Sequence, residues 1–313
     1  MKVAISLTFR TEMIFESCQI MKIRLLILIP FLILLACDPS NENIQDELVY
    51  MKYNDGNFDL YTSDLLGQWE KRLTTNTGYD WQPYWNEGLR RMVYYTNDTL
   101  GNFGVVAMDL STQEVDSLPN TEFNQFRLHP DGKTIFYTEL EGEISNIWRC
   151  DLNGANKVQL TNTPSYNGRF SISPIGDKLT FISDRTGMNE LYVLDLDSKE
   201  ANQLTNNQLV EKYSTWSPDG KRIAFTMAEA SEDPVWDIYL INWDGTGLEQ
   251  FTDTPYSEQE ISWSLSGEKI AFHGTSEADG DQIYTLDLSD GKFTKITSGD
   301  FYHGEPNWLP VLK

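Results

Sequence analysis

A glycine returns through this chain at an almost fixed interval. Gly88, Gly132, Gly176, Gly220 and Gly267 stand at steps of 44, 44, 44 and 47 residues. The clearest copy of the surrounding unit is Trp216-Ser217-Pro218-Asp219-Gly220-Lys221-Arg222-Ile223-Ala224-Phe225. A period of this length means one supersecondary unit repeated side by side, because no single unit can bury its apolar face alone.

Each unit reads as four short strands. The first, piece a, ends in Trp85, Leu128, Ile172, Trp216 or Trp263. A turn such as Pro130-Asp131-Gly132 follows, with proline presetting one dihedral and Asp-Gly making the reversal. Piece b alternates apolar residues, as in Ile135 and Tyr137 or Ile223 and Phe225, so one face points to a core. Piece c alternates too and closes on an acid or amide, for example Asp195 and Asn242. Piece d closes on pairs such as Leu160-Thr161, Leu204-Thr205 and Phe251-Thr252.

Four short strands per period are the content of one propeller blade. Pieces b, c and d stand alone before the first a, over 48–74, and a lone a stands at the carboxyl end, Glu305 to Trp308. Together they complete one blade. The expected fold is therefore all-β, a six-bladed β-propeller of four-stranded antiparallel blades, its ring closed by one carboxyl-terminal and three amino-terminal strands. Two departures carry expectations. After Gly88 the alternation starts one residue late, at Met92, which predicts a longer turn. Leu118-Pro119 replaces Leu-Thr in the same unit, which predicts a weaker outer strand.

The units resemble the propeller repeat of the TolB family, whose W-S-P-D-G-K-x-I-A-F stretch is matched by Trp216 to Phe225. The resemblance covers 47–311. It implies a binding propeller of the cell envelope, and it departs from TolB in lacking a separate amino-terminal α/β domain, so function carried by that domain is not transferred. The prolyl oligopeptidase propeller is similar, but no G-x-S-x-G nucleophile elbow accompanies it here.

Ahead of the repeats the chain reads as an address. Residues 1–20 contain Glu12 and Glu16, fit no signal pattern, and are read as an upstream start-site extension before Met21. Lys22 and Arg24 precede an apolar run from Leu25 to Leu35, which is signal-peptide length rather than membrane-spanning length. Leu34-Leu35-Ala36-Cys37 resembles a bacterial lipobox. The expectation is a lipoprotein signal over 21–36, lipid attachment at Cys37, a flexible tether over 37–46, and the propeller over 47–313. That places the protein in the bacterial cell envelope, lipid-anchored on a periplasmic or outer-membrane face. A net charge of −23 argues against nucleic acid. Cys18, Cys37 and Cys150 show neither metal spacing nor a disulfide framework.

Function is expected at a channel mouth, since the a strands of a propeller line its axis. Aligned units put Gln82, Gln125, Arg169, Tyr213, Glu260 and Glu305 at one position. Two residues earlier stand Asp80, Phe123, Asn167, Glu211, Glu258 and His303. Strand periodicity predicts two rings around one mouth, polar and mostly acidic, suited to a cationic peptide segment or a glycan. The expected role is a monomeric, non-catalytic scaffold for an envelope protein or glycan, with no cofactor and no metal.

The alternative is a metal-dependent polysaccharide lyase, by resemblance to propeller-fold oligogalacturonate lyases with their histidine-rich metal site. His273 and His303 are expected to share a mouth, with Glu305 or Glu258 as the needed carboxylate, and His129 to lie at the far one. Asp279-Gly280-Asp281 reads as a turn rather than a calcium loop. Trp81, Trp236 and Trp243 lie off the repeat's core position and are expected at the surface, and Cys150 is expected to be buried.

Overall fold

A computed structural model describes residues 46–98, 100–118, 125–276, 278 and 280–311. The signal segment, Cys37, the tether up to residue 45, Phe123 and Asp279 lie outside the described residues.

The described residues form 24 strands in six four-stranded antiparallel sheets. In chain order, β1 (Asp46–Asn54), β2 (Asn57–Ser63) and β3 (Glu70–Arg72) come first. Blade I is β4 (Asp80–Asn86), β5 (Arg91–Asn97), β6 (Phe103–Met108) and β7 (Val115–Ser117). Blade II is β8 (Phe126–Leu128), β9 (Thr134–Glu141), β10 (Ile144–Asp151) and β11 (Val158–Gln159). Blade III is β12 (Asn167–Ile172), β13 (Lys178–Ser183), β14 (Glu190–Asp195) and β15 (Ala201–Gln203). Blade IV is β16 (Leu209–Trp216), β17 (Arg222–Glu229), β18 (Asp237–Asn242) and β19 (Glu249–Gln250). Blade V is β20 (Ser257–Trp263), β21 (Lys269–Ser276), β22 (Gly280–Asp287) and β23 (Phe293–Lys295). The last strand, β24 (His303–Pro310), pairs with β1 and makes blade VI in the order β24-β1-β2-β3. The ring closes where the two ends of the propeller meet, as the unpaired terminal pieces require.

The repeated residues explain the repeated geometry. In the turn after β16, the Ser217 hydroxyl accepts the Arg222 N–H at 2.9 Å and donates to Asp219 Oδ1 at 2.7 Å. Gly220 takes a φ of 67°, open to glycine and costly for a side chain. The threonine ending piece d is a cap: Thr74, Thr161, Thr205, Thr252 and Thr297 each accept an N–H from piece c of the same blade, at 2.7–2.9 Å. That bond supports a strand end where the ladder itself is only two or three residues long.

The first departure in blade I does not behave as the sequence predicts. Trp85 pairs with Met92 over the same seven-residue spacing as Trp216 with Ile223, so the turn is not longer. The αL residue there is Arg90, and Gly88 is required instead for close approach. A Cβ on it would lie 2.3 Å from the backbone of Asp131 in the next blade's turn. β7 is as long as β3, β15 and β23, but it goes without the threonine cap of the other five blades, since Leu118-Pro119 stands where they carry threonine.

The core lies between blades. Six apolar clusters fill the six junctions, each built from strands of two neighbouring blades. The closing blade supplies two of them: Leu48, Tyr50 and Trp308 pack on Ala271 and Ile283 of blade V, and Val49, Leu60 and Leu309 on Met92 and Met108 of blade I. Trp216 and Trp308 also donate their indole N–H to Ser171 O and Ser262 O of the preceding blade. Burial of this continuous ring of apolar surface is the main term holding the blades together.

Candidate functional site

One position on each a strand makes the channel. Gln82, Gln125, Arg169, Tyr213, Glu260 and Glu305 all line a cavity of about 430 Å³ on the axis. Five of them have φ between 49° and 53°, a conformation uncommon for side-chain-bearing residues. Each of these five opens a β-bulge. In blade IV, for example, Tyr213 and Ser214 together oppose one residue, because pairing jumps from Lys212–Thr226 to Thr215–Ala224. The first residue of the bulge turns to the channel, and the second, as with Pro83, Ser214, Ile261 and Pro306, is more deeply buried while still lining the cavity. Gln125 stands just ahead of β8 and occupies the same place in blade II.

The bulge overturns the second ring. A strict two-residue period puts Asp80, Asn167, Glu211, Glu258 and His303 beside the first ring, but the extra residue reverses the parity. All five are buried, at 0–1% exposure, and none lines the channel. They tie each blade to what precedes it. Asn167 donates to Ser145 O of blade II at 2.9 Å and accepts from Ser183 and Arg185. Glu258 takes the Thr252 hydroxyl, the Thr254 hydroxyl at 2.8 Å and the Ile238 N–H at 3.2 Å, all from the blade IV side. Asp80 and Glu211 each accept an amide, from Asn76 and Asn207. His303 Nδ1 lies 3.3 Å from Asp281 O. Burial pushes the Glu211 carboxyl up to about 8 and that of Glu258 to about 7, and it lowers the His303 imidazole.

The first ring divides into two halves. On one side the carboxylates are engaged by backbone: Glu260 Oε2 accepts the Glu305 N–H at 2.7 Å, and Glu305 Oε2 accepts the Gln82 N–H at 2.5 Å. Gln125 Oε1 makes the same kind of bond to the Arg169 N–H at 2.6 Å. Each links the ring position of one blade to that of the next. Burial and the neighbouring Glu260 push Glu305 up to about 7. On the other side stand Arg169 and Arg127, a lining residue outside both aligned positions. Arg169 lies 5.0 Å over the Tyr213 ring and Arg127 5.0 Å over the Tyr84 ring. The mouth is therefore bipolar rather than mostly acidic. Arg127 was legible: two residues past the ring position the other blades carry Tyr84, Ser171, Thr215, Ser262 and Asn307, all uncharged.

The histidines divide as well. His273 sits behind Glu260, its Nδ1 at 3.6 Å from Glu260 Oε2 and its Nε2 at 3.1 Å from Asp281 Oδ1. It shares Asp281 with His303, whereas His129 packs on the Gly176 turn, its Nε2 3.1 Å from Gly176 O. Among the described residues, no three His, Cys, Asp or Glu side chains are grouped so as to hold a metal ion. Trp243 is exposed and Trp81 half-buried, but Trp236 is buried under the Lys212 ammonium, contrary to its expected surface place. Cys150 is buried and burial pushes its thiol up, away from nucleophilic use.

Comparison with known proteins follows the same lines. Residues 124–232 match the family model described as the TolB beta propeller domain. A TolB homolog of Chlorobaculum tepidum is 32% identical over 96 residues, 30% of this chain and 20% of that protein. The crystal structure of TolB from Acinetobacter baumannii superposes with a TM-score of 0.70 at 20% identity, covering 89% of this chain and 70% of that one. This chain is a β-propeller similar to that of TolB. Its matched stretches span at most about a third of the curated relatives' lengths, from 12% to 34%. An oligogalacturonate lyase in complex with manganese shares the fold, with a TM-score of 0.52 at 18% identity over 80% of this chain and 73% of that one. At such identity these structural likenesses speak for fold alone, and a propeller fold hosts many functions.

Proposed function

We propose that this TolB-like propeller is a non-catalytic binding scaffold of the bacterial cell envelope. It is held to a membrane by lipid on Cys37 and presents its channel mouth to a protein or glycan. The observation behind this reading is the convergence of six equivalent side chains on one cavity of about 430 Å³, which is pocket-sized. Five of the six are held in a backbone conformation that costs about 1 kcal/mol or more each. The lipid anchor rests on the Leu34-Leu35-Ala36-Cys37 sequence.

A photoreactive residue replacing Tyr213 in the full chain tests the mouth in cells. The expected result is a discrete covalent adduct with an envelope component, absent when the same residue replaces Glu87 on an exposed turn. The same adducts from both positions, or none, would contradict the reading. Separately, Cys37→Ser is expected to move the protein from the membrane fraction to the soluble fraction. The lyase alternative shares the fold, and it would require the protein to cleave uronate polymers with added manganese, an activity expected to be absent.

A further inference from the structure

The two channel arginines have no carboxylate within ion-pair distance among the described residues. That is unexpected in a chain with 47 acidic and 24 basic residues. Arg127 spends one donor on Phe126 O at 2.9 Å and stands over the Tyr84 ring, 5.0 Å from its centroid. Arg169 is held against Tyr213, and Lys212 stands behind that ring, 5.1 Å from its centroid. Beyond Phe126 O for Arg127 and the Tyr213 side chain for Arg169, both guanidiniums keep further N–H donors for a planar anion. In a closed ring of six, blades three apart face each other. Arg127 on blade II therefore faces Glu260 on blade V, and Arg169 on blade III faces Glu305 on blade VI. Each glutamate instead holds a backbone N–H of the next blade through its Oε2.

A second cavity, of about 400 Å³, adjoins the first and shares Glu305 with it. Its walls are Met51, Phe58, Tyr79, Trp81 and Phe103. Phe103 is 64% exposed and Tyr79 45%. The rings meet at right angles, Phe58 to Tyr79 at 89° and Trp81 to Phe103 at 90°. Such walls enclose a compact apolar side chain, whereas a sugar ring prefers one flat aromatic face. The two cavities together match an extended chain that ends in a carboxylate and carries an apolar side chain nearby.

We propose that the mouth captures the free carboxyl end of a polypeptide. The terminal carboxylate lies across Arg127 and Arg169, and an aromatic or large aliphatic side chain shortly before it fills the cleft between blades VI and I. This rests on the reading of the mouth as a binding site and names its ligand class.

The test immobilises the full chain and offers it a random heptapeptide mixture with free carboxyl ends, then the same mixture amidated, with retained peptides measured by mass spectrometry. Retention of the free acids is expected to exceed that of the amides by about tenfold, the worth of one charge-assisted bond. The retained acids are expected to be enriched in aromatic residues near the end. Arg127→Gln with Arg169→Gln should remove the preference for acids. Phe103→Ala, at a largely exposed side chain, should weaken retention and keep that preference. Equal retention of acids and amides, no retention of either, or a preference surviving in the double variant would overturn the proposal. So would retention of oligogalacturonate that depends on the same arginines, because the ligand would then be a sugar acid. If the Tyr213 photoprobe yields its envelope adduct while the peptides show no preference, the carboxyl-end assignment fails and the scaffold reading stands. If both fail, the mouth is not the site.

Discussion

Glu258 and Glu260 are the same residue two places apart on β20, yet they do opposite things. Glu258 is fully buried and takes three donors from the blade before it; Glu260 faces the channel and holds the Glu305 N–H of the blade after it. One residue in the αL conformation separates their fates. The contrast recurs at Asp80 and Gln82, Asn167 and Arg169, Glu211 and Tyr213, and His303 and Glu305. A propeller blade therefore uses its innermost strand twice, once to fasten to its neighbour and once to furnish the pore, and the bulge keeps the two uses apart.

The comparison can be broken most forcefully by truncation. Glu258→Ala leaves two hydroxyls without their acceptor and opens a cavity, so urea unfolding is expected to show a loss of about 2–4 kcal/mol. Glu260→Ala removes one acceptor at a wet surface and is expected to cost about 1 kcal/mol. Equal losses would mean that the two positions are not distinct.

The buried set should also set the response to pH. Glu211 is pushed from 4.5 up to about 8 by burial, with the nearby Glu190 adding to it, and Glu258 up to about 7. The native state then keeps protons that the unfolded chain has already lost. Stability from this source is complete below about pH 4.5 and falls as pH rises toward about 8. The melting temperature near about pH 5 is expected to exceed that near about pH 9, and Glu211→Gln is expected to narrow the gap. An unchanged gap would show that Glu211 ionises normally.

The smallest effect belongs to the links around the ring. Gln125→Leu removes the acceptor of the Arg169 N–H and is expected to cost about 0.5–1.5 kcal/mol. It should raise amide exchange at Arg169 while leaving that at Ser183 unchanged.

Much of this molecule was legible before any coordinates. The glycine period, the Asp-Gly turns and the orphan strands at the two ends are local signals, and they required a closed ring of six. The Leu-Thr pairs were visible as a pattern, though only the structure shows why the hydroxyl matters. The first ring came from aligning equivalent positions. The second failed because a two-residue period assumes an unbroken strand, and nothing in Tyr213, Glu260 or Glu305 announces a positive φ as a glycine would. Gly88 misled for a related reason: it is needed for the approach of Asp131, not for its own dihedral. Arg127 lies two residues past the aligned position, and its lone charge among five uncharged equivalents is the signal that marks it.

Thiol labelling of single-cysteine variants compares the two positions most directly. In a background with Cys18, Cys37 and Cys150 replaced by alanine, Arg169→Cys, Tyr213→Cys and Glu260→Cys are expected to react with a small maleimide in the folded protein. Asn167→Cys, Glu211→Cys and Glu258→Cys are expected to react only after unfolding. Equal labelling within each pair would show that the bulge does not divide channel from core, and the mouth described here would not exist.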